Sequence, residues 1–268
     1  MEVIGLGGGM LGVVLLPGLL ASGIGALVFV GLGNWTGKGT FSLIIPNLPK
    51  VGTPTWAGLG WALVIGVVAA VLGTLIHRPA LWLSRLVQPR ILLYGPIVGL
   101  AVGGLAWLYV VWSGHPLDDI LFSGQNELPT LLTQASTYGV WALIGIVAFK
   151  GLAYVLCLAS FRGGPVFPSL FLGAALGIAM SHLPGLPMVS GAAMGIGAMS
   201  VSMLRLPLTC VLLATLLFAQ NSTPLTPLVI VAVVVSYLLT IWLNQPASST
   251  TVSSGPGEGA STGVTGRS

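Results

Sequence analysis

The run from Trp56 to Ile76 contains no charged side chain and has the length a bilayer demands of a helix, about 20 residues. Met10 to Leu32, Ile91 to Trp112 and Leu225 to Leu243 repeat the pattern. Tyr138 to Leu158 repeats it too, except that it carries Lys150. Charged residues make up 5% of the chain, against about a quarter in a soluble domain. With a mean hydropathy of +1.01, these runs define an integral membrane protein, all-α and polytopic. The 39 glycines suit a membrane interior, where close backbone approach rather than the hydrophobic effect holds helices together.

The connections carry the charge and therefore the topology. Gly33 to Thr55 is a polar break with Lys38, Lys50 and three prolines. His77 to Arg90 holds Arg78, Arg85 and Arg90 among Leu81, Trp82, Leu83 and Leu86. Basic and aromatic residues together mark a membrane interface, and three arginines in a short connection mark its cytoplasmic side. Ser113 to Thr137 holds Asp118, Asp119 and Glu127 without a lysine or arginine, which places it outside; a short helix is expected at Leu128 to Leu132. The net charge of +4 is thus a matter of topology and not of nucleic-acid binding. Cys157 and Cys210 both fall in apolar runs, with neither metal-ligand spacing nor a disulfide framework, and no cofactor is implied. No basic segment precedes the first apolar run, so no cleavable leader is expected.

The stretch Phe161 to Gly177 departs from this regularity. Gly163 and Gly164 open backbone angles closed to other residues, and Pro165 and Pro168 fix φ, remove donors and push their predecessors away from helix. A helix is expected to begin abruptly after Pro168, from Ser169 to Ser181. Two more short apolar runs follow, Met188 to Met203 and Leu208 to Ala219, divided by His182 to Pro187 and by Arg205 to Pro207. Interrupted helices place half-helix ends near the membrane midplane, where ions are held. The N-terminus of such a helix carries about half a positive charge and free N–H groups, an anion site made of backbone. The same residues also fit a simple Gly/Pro kink between two spans. Lys150 and Arg162 have two readings as well: they raise the positive potential near this loop, or they mark a helix end at the cytoplasmic surface.

Gly163-Gly-Pro-Val-Phe-Pro168, leading into Ser169-Leu-Phe-Leu-Gly-Ala-Ala-Leu-Gly177, resembles the Gly-x-Phe-x-Pro signature of the CLC-type chloride channels and chloride–proton antiporters. Val166 holds the signature's phenylalanine position, and Phe167 follows it. Gly195 to Thr209 is similar to that family's Gly-x-x-Ala…Arg-Ala-Pro-Leu-Thr segment; Gly31 to Pro49 and Phe122-Ser-Gly124 resemble two of its connections. The resemblance runs from Met10 to Leu243 and concerns the family's second half. The serine motif, the gating glutamate of Gly-Lys/Arg-Glu-Gly-Pro and the pore tyrosine have no counterpart; Tyr237 lies inside the last span. The resemblance implies full spans mixed with broken, re-entrant half-helices over residues 1–243; residues 244–268, mostly Ser, Thr, Gly and Pro, are expected from their composition to form a disordered tail.

The resemblance also implies a chloride or small-anion channel or transporter of the cell membrane, truncated, with proton coupling unsupported because its glutamate has no match. Gly163, Gly164, Pro165, Val166, Phe167 and Pro168 would bind the anion, and Lys150 and Arg162 would give electrostatic support. Pro165 has no N–H, so donation falls to Val166 and Phe167 if the loop is shifted by one residue. The expected partners are the bilayer and either a second copy, meeting through Met10–Leu32 and Leu208–Leu243, or a missing first half. An alternative is a non-conducting membrane scaffold. Catalysis by Ser169, Cys157 or His182 lacks any supporting motif.

Overall fold

The computed structural model describes residues 8–37, 44–45, 48–49, 51–161 and 163–244, with side chains from residue 16 onward. Arg162, Lys38, Lys50 and the expected tail beyond residue 244 lie outside the described residues. All regular structure among the described residues is helical: α1 Gly8–Thr36, α2 Trp56–Val87, α3 Ile91–Ser113, α4 Glu127–Thr133, α5 Val140–Ser160, α6 Val166–Ser181, α7 Met188–Leu204, α8 Pro207–Leu217 and α9 Ser222–Leu243, with short 3-10 turns between some of them. Four stretches are long and apolar enough to cross a membrane: Leu16–Thr36, Trp56–Ser113, Val140–Ser160 and Ala219–Leu243. α6, α7 and α8 are apolar but shorter.

Two boundaries differ from the sequence reading. α2 does not stop at Ile76; it runs through Pro79 to Val87 and reaches α3 through a single 3-10 turn at Gln88–Arg90. Proline deletes one helical hydrogen bond, a loss that a long helix absorbs when packing holds the flanking turns. Here Ile76, Ala80 and Val87 are buried on one face. α6 begins at Val166 rather than Ser169, so Pro168 lies in its first turn, where a missing N–H costs nothing.

α6 and α7 are the buried centre. Ser169 to Ile178 and Val189 to Met203 are buried throughout, as expected of helices that are apolar all round. They run antiparallel and touch backbone to backbone. A Cβ built on Gly177 would collide with the Gly191 carbonyl, and one on Gly195 with the Gly173 carbonyl. The GxxxG pair Gly191/Gly195 thus meets Gly173/Gly177 on the facing helix. α9 joins this centre through Ser236, whose Oγ donates to the Ala198 carbonyl at 2.7 Å.

The two ends of the bundle are fastened differently. At one end, the segment before α2 is tied to the α8–α9 turn: Ile45 N–H donates to the Leu217 carbonyl at 3.1 Å, and Asn221 accepts from Val51 N–H and donates to the Pro49 carbonyl, each at 3.1 Å. At the other end, Arg78 donates to the Leu243 carbonyl at the close of α9. By contrast α1 is almost wholly exposed from Leu16 to Thr36, apart from Gly25 and Gly33.

Candidate anion cleft

Lys150 decides the character of the site. It lies in the middle of α5, only 2% exposed, and does not snorkel to a surface. Its ammonium donates to the backbone carbonyls of Asp119 (2.8 Å), Leu121 (3.3 Å) and Ile120 (3.4 Å), and sits 4.3 Å from the centroid of the Phe171 ring. A lysine has three donors. All three are therefore met by one turn of the acidic connection, which leaves the charge of Lys150, and none of its donors, for any other group. A mid-helix position and burial do not fit its reading as the mark of a helix end at the surface.

The turn that receives Lys150 is itself braced. Tyr138 donates from its hydroxyl toward both carboxylate oxygens of Asp119, each at 3.2 Å, and the His115 ring stacks on Tyr138 with centroids 4.3 Å apart. Burial pushes the Asp119 carboxyl up; the Tyr138 hydrogen bond, His115 and Lys150 pull the other way, and Glu127 adds to the rise. Burial raises the Tyr138 phenol as well, followed by the charge of Asp119. The turn closes through two residues in the left-handed region, Phe122 (φ 58°) and Gly124 (φ 82°), and Gly124 presses against Phe171, where a Cβ would not fit. The α4 segment follows at once and buries Leu128, Leu131 and Leu132.

Behind this turn lies a cleft of about 290 Å³, walled by Lys150, Ala153, Tyr154 and Cys157 of α5, by Ile120 to Ser123, and by Gly163, Gly164 and Pro168. The glycine-proline loop thus opens onto a cavity that also contains the buried cation. A water molecule takes about 30 Å³ of liquid volume, so the cleft has room for a small ion with part of its hydration shell. Of the six loop residues expected to bind an anion, Gly163, Gly164 and Pro168 line the cleft, whereas Pro165, Val166 and Phe167 do not. The side chains of Val166 and Phe167 pack toward the core instead.

The first turn of α6 follows the proline pattern. Ser169 N–H makes the first helical bond, to the Pro165 carbonyl at 3.3 Å. Pro165 and Pro168 have no N–H, which leaves those of Val166 and Phe167 as the free donors at the helix start; among the described residues neither finds an acceptor. Ser169 Oγ donates to the Val166 carbonyl at 2.7 Å. His182 lies at the far end of α6, its Nδ1 3.1 Å from the Ile178 carbonyl. Ser169, Cys157 and His182 therefore do not assemble into one group. No cluster of metal-ligating side chains is present among the described residues.

Several residues here escaped the sequence reading. Tyr154 stands four residues beyond Lys150, hence on the same helix face, and lines the cleft; its hydroxyl has no partner among the described residues. That spacing was visible in the sequence. The use of the Asp119–Leu121 carbonyls, by contrast, had no sequence signal, because any residue supplies a carbonyl.

The short buried helices, the buried cation and the cleft belong to an all-helical protein whose long apolar helices suit a membrane. The sequence profile described as "Voltage gated chloride channel" matches residues 5–240, and the chain belongs to that family. Curated relatives include the protein named "Putative ion-transport protein YfeO" from Salmonella schwarzengrund (strain CVM19633), 33% identical over 125 residues, and its namesake from Escherichia coli O1:K1 / APEC, 30% identical over the same length. The aligned part is 46% of this chain and 30% and 29% of those proteins. The chain thus spans under a third of the length of these relatives in the match.

Proposed function

We propose that the chain forms part of an anion pathway, with chloride as the reference ion. The observation that carries this reading is the buried Lys150 ammonium in the wall of a cleft that also exposes the Gly163–Gly164 loop and the start of a buried helix. The helix end and the fixed ammonium add their positive potentials, and both act strongly where water is scarce. Gly163, Gly164, Pro165, Val166, Phe167 and Pro168 form the anion-binding loop in this reading. Val166 and Phe167 supply N–H groups, the glycines allow close approach, and Arg162 strengthens the field. Nothing in residues 1–268 supports proton coupling, since the glutamate of the family's Gly-Lys/Arg-Glu-Gly-Pro motif has no match there.

The working unit proposed is a multi-pass cell-membrane assembly in which a second copy or a complementary half completes the pathway, residues 1–243 forming the membrane domain and 244–268 a tail. The exposed apolar surface of α1 supports an assembly. Reconstitution into liposomes tests the reading. Valinomycin-driven chloride efflux above that of empty vesicles is expected, falling severalfold in Lys150→Met. Efflux equal to empty vesicles, with no chloride-dependent shift in thermal unfolding, would leave the scaffold reading in its place.

A further inference from the structure

The continuation of α2 past the membrane core has no role in the cleft. α2 has 32 residues and is therefore about 48 Å long, against about 30 Å of hydrocarbon. Its last three turns, and the Gln88–Arg90 turn after them, are two-faced. Ile76, Ala80 and Val87 are buried against the bundle, while Arg78, Leu81, Trp82, Arg85 and Leu86 are exposed, as is Arg90. Arg78, Leu81, Trp82 and Arg85 recur at intervals of three and four, so they share one stripe of the helix. Arg78 gives one donor to the Leu243 carbonyl, and its remaining four meet no acceptor among the described residues.

We propose that this stripe binds anionic phospholipid headgroups of the cytoplasmic leaflet. Charge complementarity points to the occupant. The sequence has no Asp or Glu between Glu2 and Asp118, and the described carboxylates, Asp118, Asp119 and Glu127, all lie in the connection after α3. The arginines of this end thus have no protein counterion among the described residues. Guanidinium groups match phosphate oxygens in a fork geometry. The interleaved Leu81, Trp82 and Leu86 suit the boundary between headgroup and acyl chain, where an indole ring prefers to lie, and would serve no purpose toward a soluble polyanion. A zwitterionic lipid brings its own ammonium to the phosphate and competes with the arginines, so the stripe selects lipids with a net negative headgroup.

Native mass spectrometry of the detergent-purified chain with equimolar phosphatidylglycerol and phosphatidylcholine tests this without reference to transport. Preferential retention of phosphatidylglycerol is expected, weakening as ionic strength rises. The preference should drop by roughly fivefold per arginine removed in Arg78→Gln, Arg85→Gln and Arg90→Gln. Arg85→Gln alone disturbs no hydrogen bond of the fold and serves if the triple variant does not fold. Equal retention of the two lipids by the parent chain, or an unchanged preference in Arg85→Gln and Arg90→Gln, overturns the proposal.

Discussion

The α6–α7 crossing and the outer face of α3 carry glycines at the same spacing and put them to opposite use. Gly173 and Gly177 meet Gly195 and Gly191 across a backbone contact that no side chain could enter, whereas Gly95, Gly99 and Gly103 have no heavy atom within 4 Å of where a Cβ would stand. The first set closes the centre of the bundle; the second lies open on its perimeter. The cleft wall beyond α3 follows a third rule. There the connection after α3 is held to α5 by polar groups, Lys150 on three carbonyls and Tyr138 on Asp119. A glycine contact cannot loosen without separating two helices, while a turn fastened by hydrogen bonds can be released one group at a time. The comparison locates adjustability in the cleft wall and rigidity in the helix pair behind it.

The sharpest way to break this contrast is Gly177→Val. Forcing a side chain against the Gly191 carbonyl should cost about 3 kcal/mol or more, at the upper end for overpacking, and should show as a large fall in the thermal midpoint in detergent. Lys150→Met comes next. It strands buried carbonyls of the 119–121 turn, a loss of about 2 kcal/mol by the same measurement, and it should raise the rate at which Ser123→Cys reacts with a thiol reagent, because the turn is freed.

Asp119→Asn is a smaller change with a distinctive signature. The folded protein binds the Asp119 proton more tightly than the unfolded chain does, since burial raises the carboxyl. Its contribution to stability is therefore complete below the ordinary carboxylate value, about 4, and is lost as pH rises through the elevated value. Unfolding midpoints measured from pH 4 to 8 should show that decline in the parent and a flatter profile in Asp119→Asn. Ser236→Ala removes one interhelical hydrogen bond, for about 0.6 kcal/mol. Gly99→Val completes the series with a change within about 0.5 kcal/mol. A large loss there in the detergent-solubilised chain would show that the α3 face is covered by another helix in the assembled protein.

Much of the architecture was legible because helix lengths in a membrane follow from hydropathy. Ile91 to Trp112 and Met188 to Met203 fall within a residue of α3 and α7. The short helix expected at Leu128 to Leu132 is α4. The misplaced boundaries both involve proline. The span was ended at Ile76 where the arginines begin, and the next helix was started after Pro168, yet Pro79 sits inside a helix braced by neighbours and Pro168 inside a first turn. Local propensity says that a proline lacks a donor; only the surroundings say whether a donor was needed. The same limit explains Lys150. Its cost in an apolar run was plain, but not which of two ways it would be met, because the carbonyls that receive it come from a turn some thirty residues away. The GxxxG at Gly99/Gly103 was indistinguishable in sequence from the one at Gly191/Gly195.

The sequence by itself determined that this chain is a helical membrane protein, which segments are long enough to cross, and that short helices follow the Gly163–Pro168 loop. Those properties follow from the cost of exposing backbone and charge to hydrocarbon, which each segment meets alone. Tertiary structure decided which glycines became contacts, that the 119–124 turn folds in to hold the buried ammonium, and that the Gly163–Gly164 loop shares a cavity with it. These depend on which surfaces of distant helices meet, and hydropathy along the chain carries no record of that.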